Sequence, residues 1–362
     1  MRLLRPISRR PCRYSPSTPV RCFATATSNP PPPKKVNVKI VEVGPRDGLQ
    51  NEKTVIPLET KIALIEKLAA TGLKTIEAGS FVSPKWVPQM ANSREILDHI
   101  LNHRIKSAHP ITYSFLAPNS KGFSDASAML AKYPTAYAPE TAPESDKASK
   151  PGLEVAVFAA ATESFNQKNL NCSIAESLQK FKDVITSAKD AGLSVRAYIS
   201  VVLGCPFDGY EVDPHKVAEI ATELLEMGAD EISLGDTTGM GTAPRTGALL
   251  KCMESAGIMP DDLAMHFHDT YGQALVNTAV SLEHGIRTFD SSVAGLGGCP
   301  YSPGATGNVS SENMVYFMET LGMETGVDLD ALADVGQWIS GELGRSNDSS
   351  VGRAVLGARS KS

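Results

Sequence analysis

The sequence predicts an α/β fold of the (β/α)8 class, a TIM barrel, preceded by a basic, disordered N-terminal extension. Three observations carry that expectation. Eight short β-branched or apolar runs alternate with amphipathic helical patterns from Val36 to near Ala294, close to the roughly 250 residues of a parallel barrel. No G-x-G-x-x-G turn follows the first run, as a doubly wound dinucleotide-binding sheet would need. Charged and polar residues gather at the C-terminal ends of the runs, where barrels carry their chemistry.

The extension comes first. No acidic residue precedes Glu42, whereas Arg2, Arg5, Arg9, Arg10, Arg13, Arg21, Lys34 and Lys35 fall within the first 35 positions among many Ser and Thr. That composition reads as a mitochondrial transit peptide and linker over 1–35, closed by the joint NPPPPKK, and it implies the mitochondrial matrix. The terminal SKS lacks the final Leu of a peroxisomal address. Without those eight cations, the 35 Lys and Arg fall to 27 against 40 Asp and Glu, a formal charge of −13. Such a surface repels nucleic acid. No apolar run is long enough to span a bilayer, and 42% hydrophobic with 21% charged residues is an ordinary globular balance. Six cysteines without a CxxC pair predict free thiols rather than a disulfide scaffold.

The barrel is expected over 36–343. Its strand candidates are VNVKIVEV, KTIEAGS, ITYSFLAP, LEVAVFAA, SVRAYISVV, DEISLGD, LAMHFHD and RTFDSSVAG. Helical patterns lie between them. PLETKIALIEKLAATG puts Ile62, Ile65 and Leu68 on one face with Gly72 as its stop. PHKVAEIATELLEMG repeats the arrangement with Val217, Ile220, Leu224 and Met227, stopping at Gly228. The segment 133–152, rich in Pro, Ala, Ser and charge, breaks the rhythm and reads as a mobile surface insertion on the face away from the strands' C-terminal ends. Residues 344–362 read as a flexible tail.

Two of the seven histidines stand one residue apart in AMHFHDTYGQAL. Strand alternation sends His266 and His268 to one face, into the barrel mouth, and Leu263, Met265 and Phe267 to the other. A lone buried histidine is usually a satisfied core residue; a same-face pair beside carboxylates suits metal ligation. Asp269 falls on the opposite face and reads as structural. Asp47, just past the first strand, is the natural third ligand, and Arg46 sets a permanent cation beside it. Glu77 lies on the second strand and Asp236 ends the sixth. After the eighth strand, Gly295, Gly297, Gly298, Gly304 and Gly307 make a loop able to approach a ligand closely, with Cys299 inside it and Asn308 closing it.

VGPRDGLQNE, SFVSPKWVPQM, SLGDTTG, HFHDTYGQAL and SSVAGLGGCPYSPGATGN together resemble the 3-hydroxy-3-methylglutaryl-CoA lyase family, from about Val38 to Leu343. The resemblance implies a metal held by Asp47, His266, His268 and Asn308. It implies that Arg46 binds substrate and stabilises the enolate, and that Cys299 assists proton transfer. Glu77, Asp236 and Glu312 fall on polar positions supporting the site, with Glu77 and Asp236 among the catalytic groups, and Tyr198 and Ser233 line the pocket. The reaction implied is retro-Claisen cleavage of (S)-3-hydroxy-3-methylglutaryl-CoA to acetyl-CoA and acetoacetate, a step of leucine degradation and ketone-body formation, by a homodimer. The partner is a small acyl-CoA. An oxygen and imidazole ligand set without thiolate favours Mg2+ or Mn2+ over zinc. The base that takes the C3 hydroxyl proton is Asp236 or a metal-linked histidine; the sequence does not choose. Two other readings compete. A condensing enzyme of the isopropylmalate, citramalate or homocitrate synthase kind shares the RDG and HxH elements, although nothing after Asn308 suggests its regulatory domain. A non-catalytic barrel would carry a broken site, whereas every polar position here holds a competent residue.

Overall fold

The computed structural model describes residues 36–298 and 307–360. Eight parallel strands close into one barrel in chain order: β1 (Lys39–Glu42), β2 (Thr75–Ser80), β3 (Thr112–Leu116), β4 (Gly152–Ala160), β5 (Ser194–Ser200), β6 (Glu231–Asp236), β7 (Leu263–Phe267) and β8 (Thr288–Ser291). Each lies inside the run expected for it, except that β4 begins one residue earlier, at Gly152. β8 pairs back onto β1, Val41 opposite Asp290, which leaves no free sheet edge. The expected basic extension, 1–35, lies outside the described residues.

Residues facing outward from the strands make the core with the surrounding helices. Leu263, Met265 and Phe267 are fully buried there, as alternation required. The helix Leu58–Ala69 buries Leu64, Ile65 and Leu68, each contributing about 1.5–3 kcal/mol by removal from water. Its buried face is centred one step from the expected one, so that Ile62 is only half-buried. The chain leaves this helix through Gly72 at φ +95°, where a Cβ would sit 2.2 Å from the Gly326 carbonyl oxygen; only glycine fits. The helix Pro214–Glu226 buries Val217, Ile220 and Leu224, is capped by Asp213, and turns out through Gly228 at φ +107°.

One expectation needs correction and one segment gains detail. The 133–152 segment lies at the N-terminal end of β4 and makes contacts with its surroundings. Tyr133 donates to Asp98 (2.7 Å), the Glu140 N–H to the Gly192 carbonyl (2.7 Å), and Ala138 bridges to Gly152. Residues beyond 343, expected as a flexible tail, instead form the helix Ser350–Arg359, packed on Ser311–Thr320 and Leu329–Glu342. Asn313 Oδ1 accepts from the Ser349 and Ser350 hydroxyls and the Val351 N–H, which fixes the start of that helix. Neither tether is visible in local composition.

Candidate active site and metal centre

The residues after β1 fold as one π-helical turn, Gly44–Gly48, with the sequence GPRDG. The Asp47 and Gly48 N–H groups both donate to the Val43 carbonyl, at 2.8 and 3.1 Å, and Gly44 donates to the Glu42 carboxylate at 2.8 Å. A Cβ at Gly48 would stand 2.8 Å from Ser292 Oγ and 2.9 Å from Leu296 Cβ, so this turn presses on the loop after β8. Isolated π turns concentrate at functional sites. Here the turn locks neighbours together: Arg46 Nη1 donates to Asp47 Oδ1 at 2.7 Å, and Nη2 reaches Glu77 Oε2 at 2.7 Å.

Asp47, His266 and His268 each present a ligand atom within 4.8 Å of the others, the one such cluster among the described residues. Both rings are buried. Burial makes charging His268 costly and brings its pKa down to about 4, so its ring is neutral with a lone pair to give. Burial also opposes charge on His266, but its Nδ1 bonds Asp290 Oδ2 at 3.1 Å and the net shift is upward. Asp47 resists burial through Arg46 and the two histidines and is held at about 2. Asn308 completes the group. Its Nδ2 donates to Asp47 Oδ2 (2.8 Å) and to the Leu296 carbonyl (3.1 Å), while its buried Oδ1 has no aligned partner; nor has His268 Nδ1. Buried orphan acceptors are uncommon, and a carboxylate, two imidazoles and a carboxamide oxygen fit a hard divalent cation. Sequence reading missed Gln50, whose amide donates to Asp47 Oδ1 at 2.6 Å from one turn on.

The other expected residues surround this group. Asp236 is fully buried, with Oδ2 accepting from the Gly241 N–H (2.9 Å) and Oδ1 unpartnered. Burial pushes its pKa up to about 7. Glu77 is fully buried between Arg46 and the Tyr198 hydroxyl, which donates to it at 3.1 Å. Register between β2 and β3 shifts between Glu77 and Gly79, a bulge that re-aims the strand beside the site. Tyr198 lies between two guanidinium groups, Arg46 at 5.4 Å and Arg196 at 5.3 Å from its ring centre. The Ser233 hydroxyl donates to Asp290 at 2.8 Å. Glu312 accepts from the Ala294 N–H at 3.0 Å and so holds the root of the loop after β8. Cys299 lies outside the described residues.

Three groups at this end were not singled out from sequence. Glu42 accepts from Gly44, Val293 and Ser311, tying the β1 turn to the β8 loop, and its pKa rises to about 7 chiefly through burial. Val201 and Ala294 adopt φ +58° and +57° at the ends of β5 and β8. A β-branched residue rarely tolerates that conformation. The Thr237 hydroxyl holds Val201 there, accepting its N–H at 2.9 Å. Such strain concentrates at functional sites.

A family model described as HMGL-like matches residues 37–339. The chain belongs to the HMGL-like family. It is 52% identical over 324 residues to the 3-hydroxy-3-isohexenylglutaryl-CoA/hydroxy-methylglutaryl-CoA lyase of Pseudomonas aeruginosa, covering 90% of this chain and 98% of that one. To the mitochondrial hydroxymethylglutaryl-CoA lyase of Bos taurus it is 49% identical over 321 residues, 88% of this chain and 89% of the other. A crystal structure of hydroxymethylglutaryl-CoA lyase from Pseudomonas aeruginosa superposes with a TM-score of 0.79 at 51% identity, over 90% of this chain and 99% of that chain. Bacterial and mitochondrial HMGL-like proteins thus lie at similar distances from this one, and each match runs through the barrel and its site.

Proposed function

We propose that this chain is a carbon–carbon lyase that cleaves (S)-3-hydroxy-3-methylglutaryl-CoA to acetyl-CoA and acetoacetate. The observation that carries this is the meeting of Asp47, His266, His268 and Asn308, far apart in sequence, beside Arg46 in a member of the HMGL-like family. Those four residues would hold Mg2+ or Mn2+, which supplies Lewis acidity toward the substrate's C3 hydroxyl and carboxylate. The remaining work falls to the chain. Asp236, with one unpartnered oxygen and a pKa near neutrality, takes the C3 hydroxyl proton as the C2–C3 bond breaks. The histidines are less suited to that step, one being engaged by Asp290 and the other held neutral by burial. Arg46, fixed by Glu77 and with a buried unpartnered Nε, faces the thioester oxygen as negative charge arrives on it. Cys299 returns a proton to C2, and the acetyl group leaves as acetyl-CoA.

The deciding measurement is acetoacetate formation from HMG-CoA by the purified protein with Mg2+ and with chelator. Turnover that disappears on chelation is expected; no acetoacetate from the metal-replete protein overturns the reading. Cys299→Ser is expected to lower kcat by about 10²–10⁴, the usual worth of a positioned proton donor, with Mn2+ affinity unchanged. Loss of Mn2+ binding in that variant would instead place the thiol among the ligands.

We also propose import into the mitochondrial matrix, supported by the arginine-rich, acid-free residues 1–35 and by the mitochondrial relatives. Residues 1–35 fused to a fluorescent protein should direct it to mitochondria. A diffuse cytosolic signal would contradict this.

A further inference from the structure

A row of charged side chains runs down the inside of the barrel from the metal centre. Asp290 of β8 stands opposite His266 of β7 in the sheet register and is buried, 1% exposed. Its Oδ2 accepts from the Ser233 hydroxyl at 2.8 Å and meets His266 Nδ1 at 3.1 Å. Its Oδ1 accepts from Arg196 Nη2 at 2.5 Å. Arg196, on β5 with no exposed surface, lies 3.0 Å from Glu231 through Nη1, and Glu231 in turn pairs with Lys39 at 3.2 Å. Four strands therefore contribute to fixing one carboxylate.

We infer that Asp290, held by Arg196 and Ser233, is a positioning residue that sets the tautomer and ring orientation of His266 for cation binding. A carboxylate only accepts, so the proton on His266 must sit on Nδ1. That leaves the Nε2 lone pair directed toward Asp47 Oδ2, 3.8 Å away, a separation too long for a hydrogen bond and suited to two ligands of one ion. An unsupported imidazole would lose the orientation and the tautomer preference, because both nitrogens protonate with similar ease in water. Arg196 supplies the second half of the device. Its guanidinium holds Oδ1 while the ring meets Oδ2, so turning Asp290 away would break both contacts. Outer groups of this kind typically change metal affinity by about 10–100-fold. Ser233 supports the same carboxylate through its hydroxyl.

This rests on Asp47, His266 and His268 being cation ligands, and the test separates the two claims. Mn2+ binding to the full-length protein is titrated by electron paramagnetic resonance, and histidine tautomers are read from 15N shifts in histidine-labelled protein. Wild type should bind Mn2+ and show one ring as the Nδ1–H tautomer; no binding by wild type sinks the ligand assignment itself. Asp290→Asn should weaken Mn2+ by about 10–100-fold and shift that ring's tautomer signal. Ser233→Ala, a milder change for use if Asp290→Asn does not fold, should weaken it by several-fold. Glu154→Gln removes a buried carboxylate on β4, 7% exposed, whose charge acts on Arg196 but which does not bond Asp290; it should leave Mn2+ affinity within about twofold of wild type, well short of the about 10–100-fold loss of a lost outer contact. Wild-type affinity and an unchanged tautomer in Asp290→Asn or Ser233→Ala would overturn the inference. So would an equal loss in Glu154→Gln, which would mean that the barrel's internal charge matters and not the contact with His266.

Discussion

Arg46→Met is expected to lower kcat by at least about 10²–10³-fold, the usual effect of removing one preorganised donor from a developing oxyanion. The guanidinium is fixed on three sides before substrate arrives: Asp47 at 2.7 Å, Glu77 at 2.7 Å, and the Tyr198 ring at 5.4 Å. Little reorganisation is then left for the reaction itself. The same packing makes the variant fragile. Glu77 is fully buried and burial already raises its pKa, with Arg46 the main opposing influence. Deleting one member of a buried pair typically costs about 3–5 kcal/mol. Arg46→Met should therefore melt earlier as well as react slower. The double variant Arg46→Met/Glu77→Gln separates the two effects, since a neutral amide needs no counter-charge. It should recover much of the melting temperature and none of the rate. Arg46→Lys should also fail, because one ammonium cannot serve Asp47 and Glu77 in the forked geometry a guanidinium provides. Measured kcat for Arg46→Met within about threefold of wild type would remove Arg46 from the chemistry, since its expected loss is far larger.

The barrel was legible in the sequence because its strands are buried on both sides, and short β-branched runs between helical patterns are what that burial demands. The histidine pair was legible for a related reason. A period of two puts residues 266 and 268 on one face whatever the rest of the chain does. Asp290 and Arg196 were written just as plainly in β8 and β5, yet their meaning depends on each other across 94 residues of sequence. A charge inside a strand pattern reads as an exposed position until its partner is found. Glu42 has the same character, since its partners Val293 and Ser311 lie 251 and 269 residues away. The C-terminal helix was hidden differently. Its sequence is short and carries two interior glycines, which are poor helix formers, and what fixes its start is Asn313, an acceptor on another helix.

Asp236→Asn is expected to lower kcat/KM by about 10²–10⁴-fold, the range for a lost general base, and to erase the acidic limb of the pH profile. The sign follows from which form works. Only the carboxylate can accept the C3 hydroxyl proton. Burial destabilises that form and lifts the pKa from the ordinary 3.8 to about 7, against the opposing hydrogen bond from Gly241. In the wild type, kcat/KM should then be level above about pH 7 and fall tenfold per unit below it, as the carboxyl takes up the proton it must lose to act. Asp47 cannot generate that limb, because at about 2 it stays ionised throughout the range. His268, at about 4, titrates too low as well. Glu42 has a similar pKa near 7 but all its contacts are to the loop roots, so Glu42→Gln should alter stability with pH and leave the kinetic limb in place. The separation is what gives the experiment its force. A limb that persists in Asp236→Asn with near-normal kcat/KM would hand the proton transfer to another group, and the orphaned Oδ1 would need a different explanation.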